Sequence, residues 1–139
     1  MMQGSQAVQV AREGIHREAT VSWSHEYPVW TVTIRSDGFG TTQVGADDAF
    51  EALCLIREEL EPLGWRIGVA GALPNVWPSG MARDQGGGLR AYRLTPQGAG
   101  GLVDTFEPVD PSVTVTVAEQ RAQADRFFAD PTSARRPTS

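Results

Sequence analysis

Residues 29–64 read VWTVTIRSDGFGTTQVGADDAFEALCLIREELEPLG, and this stretch decides the fold class. Its first six residues, Val29 to Ile34, are rich in β-branched and aromatic side chains, a composition typical of a strand. Ser36 to Gly40 carries a turn signal, because glycine is free to adopt a positive φ. Thr41 to Val44 is therefore expected to return as the second strand of a hairpin.

A helix is predicted directly after this hairpin, over residues 48–61. Asp48, with Glu51 three residues later, has the spacing of a capping box, and Pro62 and Gly64 are stop signals. The apolar residues recur at helical spacing; they are Ala49, Leu53, Ile56 and Leu60. A strand pair followed by an amphipathic helix indicates a sheet that a helix covers on one face.

The remaining elements extend this pattern in both directions. Strands are predicted near Val21 and over residues 65–72, 89–94 and 102–106. Thr116 and Glu119 repeat the capping-box spacing and begin a short C-terminal helix at about 117–129. The order lacks the strict alternation of a parallel sheet. We therefore predict an α+β fold, with a mainly antiparallel sheet of about 5–6 strands and helices on one face.

The expected domain limits follow from the same patterns. Residues 1–18 are polar and are predicted to be an N-terminal arm or, through Ala7 to Ala11, an edge strand. Residues 19–130 are expected to form a single α+β domain, since a chain of 139 residues is typical of one domain. Residues 131–139 are expected to be a disordered tail.

The charge of the chain narrows the classes of partner. Its 12 basic residues, all arginine, stand against 17 acidic ones, so the net charge is −5. An acidic domain is a poor general nucleic-acid binder, because phosphate neutralisation supplies most non-specific affinity. The same charge suits a basic protein partner.

No apolar run approaches the ~20 residues that span a bilayer, and residues 1–14 contain no signal-peptide stretch. We therefore expect no nucleic-acid partner, no membrane partner and a cytoplasmic location.

Little in the sequence indicates catalysis or a bound cofactor. The single cysteine, Cys54, lies among the apolar residues of the predicted helix and is expected to be inert. The cysteine and the two histidines are too scattered for a metal site, so we expect neither a metal nor another cofactor. Strand alternation places Ser22 and Ser24 on the face opposite His25, and no catalytic residue is predicted.

One segment fits no periodic pattern. Residues 73–88 read LPNVWPSGMARDQGGG, and structureless loops longer than about 12–15 residues are usually functional or disordered. The segment carries Trp77, Met81, Arg83 and Asp84. Tryptophan and arginine are enriched at binding hot spots, and methionine is an adaptable contact. Two alternatives to a binding loop stay open: Trp77 and Met81 fold back and plug the end of the sheet, or the segment is disordered.

The glycine run that ends this segment, Gly86-Gly87-Gly88, has two interpretations. Consecutive glycines allow backbone N–H groups to converge on an anion, and Arg83 and Arg90 flank the run. The run matches neither the P-loop spacing nor the dinucleotide fingerprint. The second interpretation is a plain flexible hairpin, and the sequence leaves both open.

The stretch from Trp77 through Arg83 and the glycine run to Tyr92 resembles a W/Y-P-S-G-M-x-R…G-G-G pattern of small bacterial proteins. The resemblance covers the middle and C-terminal half of the chain, to near Phe128. It brings no activity with it, so no functional residue is transferred. It implies that the segment is a feature of a type of protein.

These observations favour a non-catalytic, cytoplasmic protein-binding domain. Its predicted binding residues are Trp77, Met81, Arg83, Asp84, Gly86, Gly87, Gly88 and Arg90. One concrete form is an immunity-type inhibitor, whose acidic body covers the basic active site of a toxin. The alternatives are a ligand-binding domain or small enzyme for an anionic metabolite, and a structural homodimer that pairs through the region 19–34.

Overall fold

The computed structural model describes residues 2–129, without the side chains of residues 81 and 85. It confirms the predicted α+β class. Within the described range, eight strands form two antiparallel sheets, one of five strands and one of three, accompanied by three α-helices. The tail predicted at residues 131–139 lies outside the described residues.

The first sheet contains five strands in the order β4-β3-β2-β1-β5. They are β1 (Met2–Arg12), β2 (Ile15–Glu26), β3 (Val29–Ser36), β4 (Gly40–Ala46) and β5 (Arg66–Ile67). All neighbouring strands are antiparallel. The hairpin that the sequence predicts is therefore present as β3 and β4, and it is extended by two long strands before it.

The N-terminal segment is an integral part of this sheet. Strand β1 pairs with β2 over its whole length, from Arg12 opposite Ile15 to Met2 opposite His25. The turn between them is Glu13-Gly14, and both residues have a positive φ, 53° and 79°. Positive φ at both positions is the geometry that joins two strands with their natural twist. Residues 2–18 thus form β1, its turn and the start of β2, and only the first part of β1 is a sheet edge.

Helix α1 (Ala49–Leu60) covers one face of the first sheet and is the predicted main helix. The Asp48 carboxylate accepts the backbone N–H of Glu51 at 2.8 Å, as the capping-box spacing predicts. The core between helix and sheet consists of fully buried apolar residues, among them Val10, Val21, Val32, Ile34, Leu53 and Ile56. Burial of these side chains is the main favourable term in folding.

The second sheet contains three strands in the order β6-β7-β8. They are β6 (Val76–Trp77), β7 (Arg90–Thr95) and β8 (Gly98–Asp104), and α2 (Gly80–Gly86) lies between β6 and β7. Helix α3 (Val117–Ala129) is the predicted C-terminal helix, and Thr116 and Glu119 cap it reciprocally. The strand predicted over 65–72 is wrong beyond β5, because Ala70–Ala72 is a 3-10 helix. The chain closes a turn there, because the N–H groups of Ala72 and Leu73 donate to the carbonyls of Val69 and Ala70, three residues before them.

A buried arginine joins the first sheet's helix to the second sheet. Arg57 of α1 is 1% exposed and donates to the Val115 carbonyl and to Gln120 Oε1, both at 2.6 Å. Its Nε donates to Glu61 Oε2 at 3.1 Å. Gln120 Nε2 in turn lies within 2.9 Å of three backbone carbonyls; they are those of Gly71, Leu73 and Val76. Burial lowers the pKa of Arg57, and the Glu61 carboxylate opposes that shift.

The strand order also decides which sheet edges are free. Strand β2 lies between β1 and β3, and β3 lies between β2 and β4. Both edges of each strand are therefore already paired, so a homodimer cannot pair through residues 19–34 as the sequence suggested. The unpaired edges of the first sheet are therefore β4, the outer side of the two-residue strand β5, and the first part of β1. No helix within residues 2–129 is long and apolar enough to cross a membrane.

We expect Arg57→Ala to lower the free energy of unfolding by about 3–5 kcal/mol, because it removes the charged partner of Glu61 and the donor to the Val115 carbonyl and to Gln120 Oε1. Urea unfolding followed by circular dichroism measures this loss. The matched control is Arg35→Ala on the exposed face of β3, which should change stability by no more than about 0.5 kcal/mol. A loss below about 1 kcal/mol for Arg57→Ala would show that the network is dispensable.

Candidate functional site

The segment 73–88, which has no periodic pattern in sequence, is held in place by short elements. Trp77 and Val76 form β6, which pairs with Tyr92 and Arg93 of β7. Helix α2 begins after Ser79, whose hydroxyl accepts the N–H of Ala82 at 3.0 Å. The helix ends at Gly87, which has a φ of 64°. A serine N-cap and a left-handed glycine C-cap are the standard limits of a helix, and here they enclose a helix of seven residues.

Trp77 and Arg83 pack against α1 and do not project from the surface. The Trp77 ring meets the edge of Phe50 with 5.2 Å between ring centroids. The Arg83 guanidinium lies 3.3 Å from Asp48 and 3.4 Å from Glu51, and it also lies over Phe50 and Trp77. The two residues therefore fasten α2 to the first turn of α1. Met81 lies in α2, and its side chain is not among the described ones.

The glycine run serves as a joint between α2 and the core. Gly87 and Gly88 are buried and have positive φ, and the Gly88 N–H donates to the Ala82 carbonyl at 3.0 Å. The Gly87 carbonyl accepts from Ala49 N–H at 2.7 Å. A Cβ at Gly87 would collide with the Trp30 ring. Because the N–H of Gly88 is already bonded inside the protein, the geometry does not present an anion-binding nest to solvent.

The opposite face of α2 lines a shallow apolar depression. It has a volume of about 350 Å³ and is bounded by Ser79, Ala82, Gly86, Leu89, Arg90, Tyr92 and Leu102. Leu102, on β8, is 49% exposed and forms part of the wall of this depression. Of the predicted binding residues, Gly86 and Arg90 are therefore brought together here. Asp84 is exposed elsewhere on α2 and is not among the residues that line the depression.

A second depression adjoins the first and shares Leu89 with it. Its volume is about 560 Å³, and its lining is Ser5, Gln6, Trp23, Leu89, Asp104, Phe106, Glu107 and Pro108. We call the two depressions together the Leu89 groove. The groove runs from the α2 face, past the end of β8, to the first part of β1.

An aromatic pair forms part of the second depression. Trp23 of β2 stacks on Phe106, with ring centroids 4.7 Å apart and an angle of 14° between the planes. Gly4 of β1 lies opposite Trp23, and a Cβ at Gly4 would lie 2.6 Å from the indole ring. The absence of a side chain at Gly4 thus lets the Trp23 ring lie across β1 and reach Phe106.

The charges in the groove are mainly negative. Asp104 and Glu107 line the second depression, and Arg90 is the basic residue in the first. The Arg90 guanidinium lies 3.5 Å from Asp104, but both side chains are about two-thirds exposed, at 66% and 67%. An exposed pair of this kind contributes little and is readily exchanged for another partner. The groove therefore suits a ligand that combines an apolar group with a positive charge.

The histidines have structural neighbours and do not form a catalytic pair with serine. His25 stacks on Trp30, with 4.4 Å between ring centroids, on the sheet face opposite Ser22 and Ser24. His16 lies 3.2 Å from Asp110 at the surface. The pKa of Asp110 is lowered first by the backbone N–H of Ser112 and then by His16. Across residues 2–129, no three His, Cys, Asp or Glu side chains come together as a metal site.

Several residues that line the groove lie outside the segment 73–88, and no sequence pattern identifies them as candidates. Trp23, Leu102 and Phe106 come from β2, β8 and the connection after β8, and only the fold brings them beside α2. No protein-family model matches the chain, and no curated protein matches it significantly.

We expect Gly87→Ala to lower the free energy of unfolding by more than about 2 kcal/mol. The left-handed backbone alone costs a residue with a Cβ about 1–2 kcal/mol, and the Trp30 ring must also move. Thermal or urea unfolding measures the loss. The matched control is Gly86→Ala, because Gly86 is exposed and has no atom within 4 Å of its added Cβ. That variant should be neutral or more stable by up to about 1 kcal/mol. If the two variants changed the free energy of unfolding equally, Gly87 would not be the joint between α2 and the core.

We expect Cys54 to be unreactive in the folded chain. Burial raises the pKa of its thiol from 9.0 to about 11, so the thiolate is scarce at pH 8. A disulfide reagent should label the thiol at pH 8 only after unfolding in urea, where the same chain is its own control. The raised pKa also means that the contribution of Cys54 to stability is constant below pH 9 and is lost as the pH rises from 9 towards 11. Rapid labelling of the native chain would contradict this expectation.

Proposed function

We propose that this chain is a non-catalytic, cytoplasmic protein-binding domain that holds a segment of a partner protein in the Leu89 groove. The observation that carries the proposal is the combination of an aromatic stack, an exposed leucine and two carboxylates along one groove. Apolar anchors surrounded by polar groups are the usual composition of an interface centre and its rim.

The partner segment is basic and carries at least one apolar side chain. Asp104 and Glu107 attract positive charge, and the net charge of −5 steers a basic protein towards the chain. Leu102 and Tyr92 offer the apolar contact beside them. The concrete biological form that we propose is a bacterial immunity-type inhibitor, which covers a basic active site of a toxin.

This proposal shifts the binding surface from the large residues of segment 73–88 to the small ones. Trp77 and Arg83 are occupied with α1, whereas Ala82 and Gly86 face the groove. The anionic-metabolite alternative gains nothing from this arrangement. Arg83 already lies beside two carboxylates, and Gly87 and Gly88 are buried.

A selection from a displayed library of random dodecamer peptides tests the proposal without knowledge of the natural partner. We expect enriched peptides to place an apolar residue near arginine or lysine. A labelled synthetic copy of the strongest binder, titrated by fluorescence anisotropy, should lose affinity at least about tenfold on Leu102→Asp. The matched control is Val113→Asp, because Val113 is similarly exposed, at 53%, and lies outside the groove lining.

The charge dependence is tested with the same peptide. The double variant Asp104→Asn and Glu107→Gln should weaken binding and flatten its dependence on salt, whereas Glu58→Gln and Glu59→Gln on α1 should change neither. Enriched peptides that bind Leu102→Asp as tightly as the native chain would place the contact elsewhere and overturn the proposal. Failure to enrich any peptide would also count against it.

A further inference from the structure

We propose that the partner segment binds as an added β-strand along the free edge of β1, next to Gln3, Ser5 and Ala7. The inference rests on the proposed function and specifies how the Leu89 groove recognises its partner. The occupant is an extended, basic segment of another protein. Main-chain hydrogen bonds hold it to β1, and alternate side chains reach into the groove.

The backbone of β1 shows which residues have free main-chain groups. The pair Arg12 and Ile15 closes the hairpin with β2, and successive residues of a strand direct their N–H and C=O to opposite sides. The Gln9 carbonyl, on the side away from β2, accepts the Gly68 N–H at 2.8 Å. Residues two, four and six positions before Gln9 therefore direct their main-chain groups towards the same open side; they are Ala7, Ser5 and Gln3.

The open edge is nearly free of internal bonds. Within residues 2–129, these three positions have one hydrogen bond on that side, from Gln6 Nε2 to the Ala7 carbonyl at 3.3 Å. That contact is exposed and made by a flexible side chain. An added strand can replace it at small cost, because a single exposed hydrogen bond contributes only about 0.5–1.5 kcal/mol.

The edge is open because β5 is too short to cover it. Strand β5 pairs only with Val10 and Ala11 of β1, and the chain then turns away at Val69, which forms an isolated bridge with Pro108. Beyond that bridge, Ser5 and Gln6 form one side of the second depression. The depression has a volume of about 560 Å³ and is open to solvent on one side.

The surroundings of this edge supply the side-chain contacts that strand addition needs. Side chains alternate between the two faces of an added strand, so every second one points towards the groove. There it meets the Trp23 and Phe106 rings, and its neighbours reach Asp104 and Glu107. A basic side chain gains both from the carboxylates and from the face of an aromatic ring.

The charge of the groove also favours another protein over a second copy of this chain. A second copy would bring a net charge of −5 towards Asp104 and Glu107, and like charges at an interface oppose association. Strand β4, the long edge strand on the opposite side of the first sheet, has no charged residue between Gly40 and Ala46. Self-pairing would therefore meet less repulsion at β4 than at β1.

An N-methyl scan of the selected dodecamer tests the mode of binding. Methylation removes one backbone donor and adds bulk at that amide, and in strand addition only every second amide faces β1. We expect alternate positions over the bound stretch to lose at least about tenfold in affinity, and the intervening ones to change by less than about threefold. A loss at every position, or at none, would contradict strand addition.

The complementary variant is Ser5→Pro, which removes an N–H that faces the open side. Proline is tolerated at a strand edge where its N–H would face solvent, so the fold should persist, and circular dichroism and urea unfolding check this. The matched control, Ser5→Ala, keeps the N–H. Peptide affinity should fall at least about tenfold for Ser5→Pro and stay within about twofold for Ser5→Ala. If Ser5→Pro does not fold, the N-methyl scan decides.

The outcomes separate this inference from the proposed function. Peptides that depend on Leu102 but tolerate N-methylation and Ser5→Pro would overturn strand addition and leave the groove as a binding site. An unsuccessful selection would overturn the proposed function itself. Sedimentation equilibrium tests whether a second copy of this chain occupies the edge instead. If the native chain is a dimer and Ser5→Pro dissociates it, a second copy pairs with β1, and the inference is overturned.

Discussion

The buried guanidinium of Arg57 is the constraint on which the arrangement of the two sheets depends. It joins α1 to the Val115 carbonyl and to Gln120, and Gln120 holds the carbonyl of Val76 in β6. Glu61, its carboxylate partner, also accepts the first N–H of α3, from Val117, at 3.0 Å. A buried charge is costly unless every donor finds an acceptor, so the network fixes these segments in one arrangement. The second depression of the Leu89 groove is lined from both sheets, so its shape follows from that arrangement.

Local patterns in the sequence predict the parts of the fold that local forces determine. The hairpin at 29–44, the main helix and the N-caps Asp48 and Thr116 are confirmed, because turn chemistry and helical spacing act over a few residues. The Glu119 carboxylate completes the box at Thr116, whereas the Glu51 carboxylate accepts from Arg83. Strand β1 is obscured by its polar composition, although the dipeptide Glu13-Gly14 between two alternating stretches is the signal of its hairpin. The division into two sheets has no local signal, since it depends on contacts such as those of Gln120 with Leu73 and Val76.

Local sequence patterns are also limited in what they predict about the candidate site. The sequence identifies the unusual segment 73–88, but residue size is a poor guide to which side of it faces solvent. Trp77 and Arg83 are the residues that composition favours as anchors, and they are used to hold α2 on α1. The side of α2 that faces the groove carries the small residues Ala82 and Gly86. The space beside them is lined by Tyr92 of β7 and Leu102 of β8. Trp23 and Phe106 meet only because Gly4 leaves room for the indole ring, a condition that depends on strand register.

An open strand edge is a liability that proteins usually block with charge, proline or a covering element. The first part of β1 has none of these in its own sequence, since Gln3, Gly4, Ser5 and Gln6 are uncharged. Its protection comes from the surroundings, where Asp104 and Glu107 stand along the groove beside the edge. For an acidic chain these carboxylates repel further copies of itself. For a basic segment they are attractive, and the edge then offers the unpaired main-chain groups. Under the proposed function, the same two side chains discourage self-association and select a basic partner, so the edge can stay open.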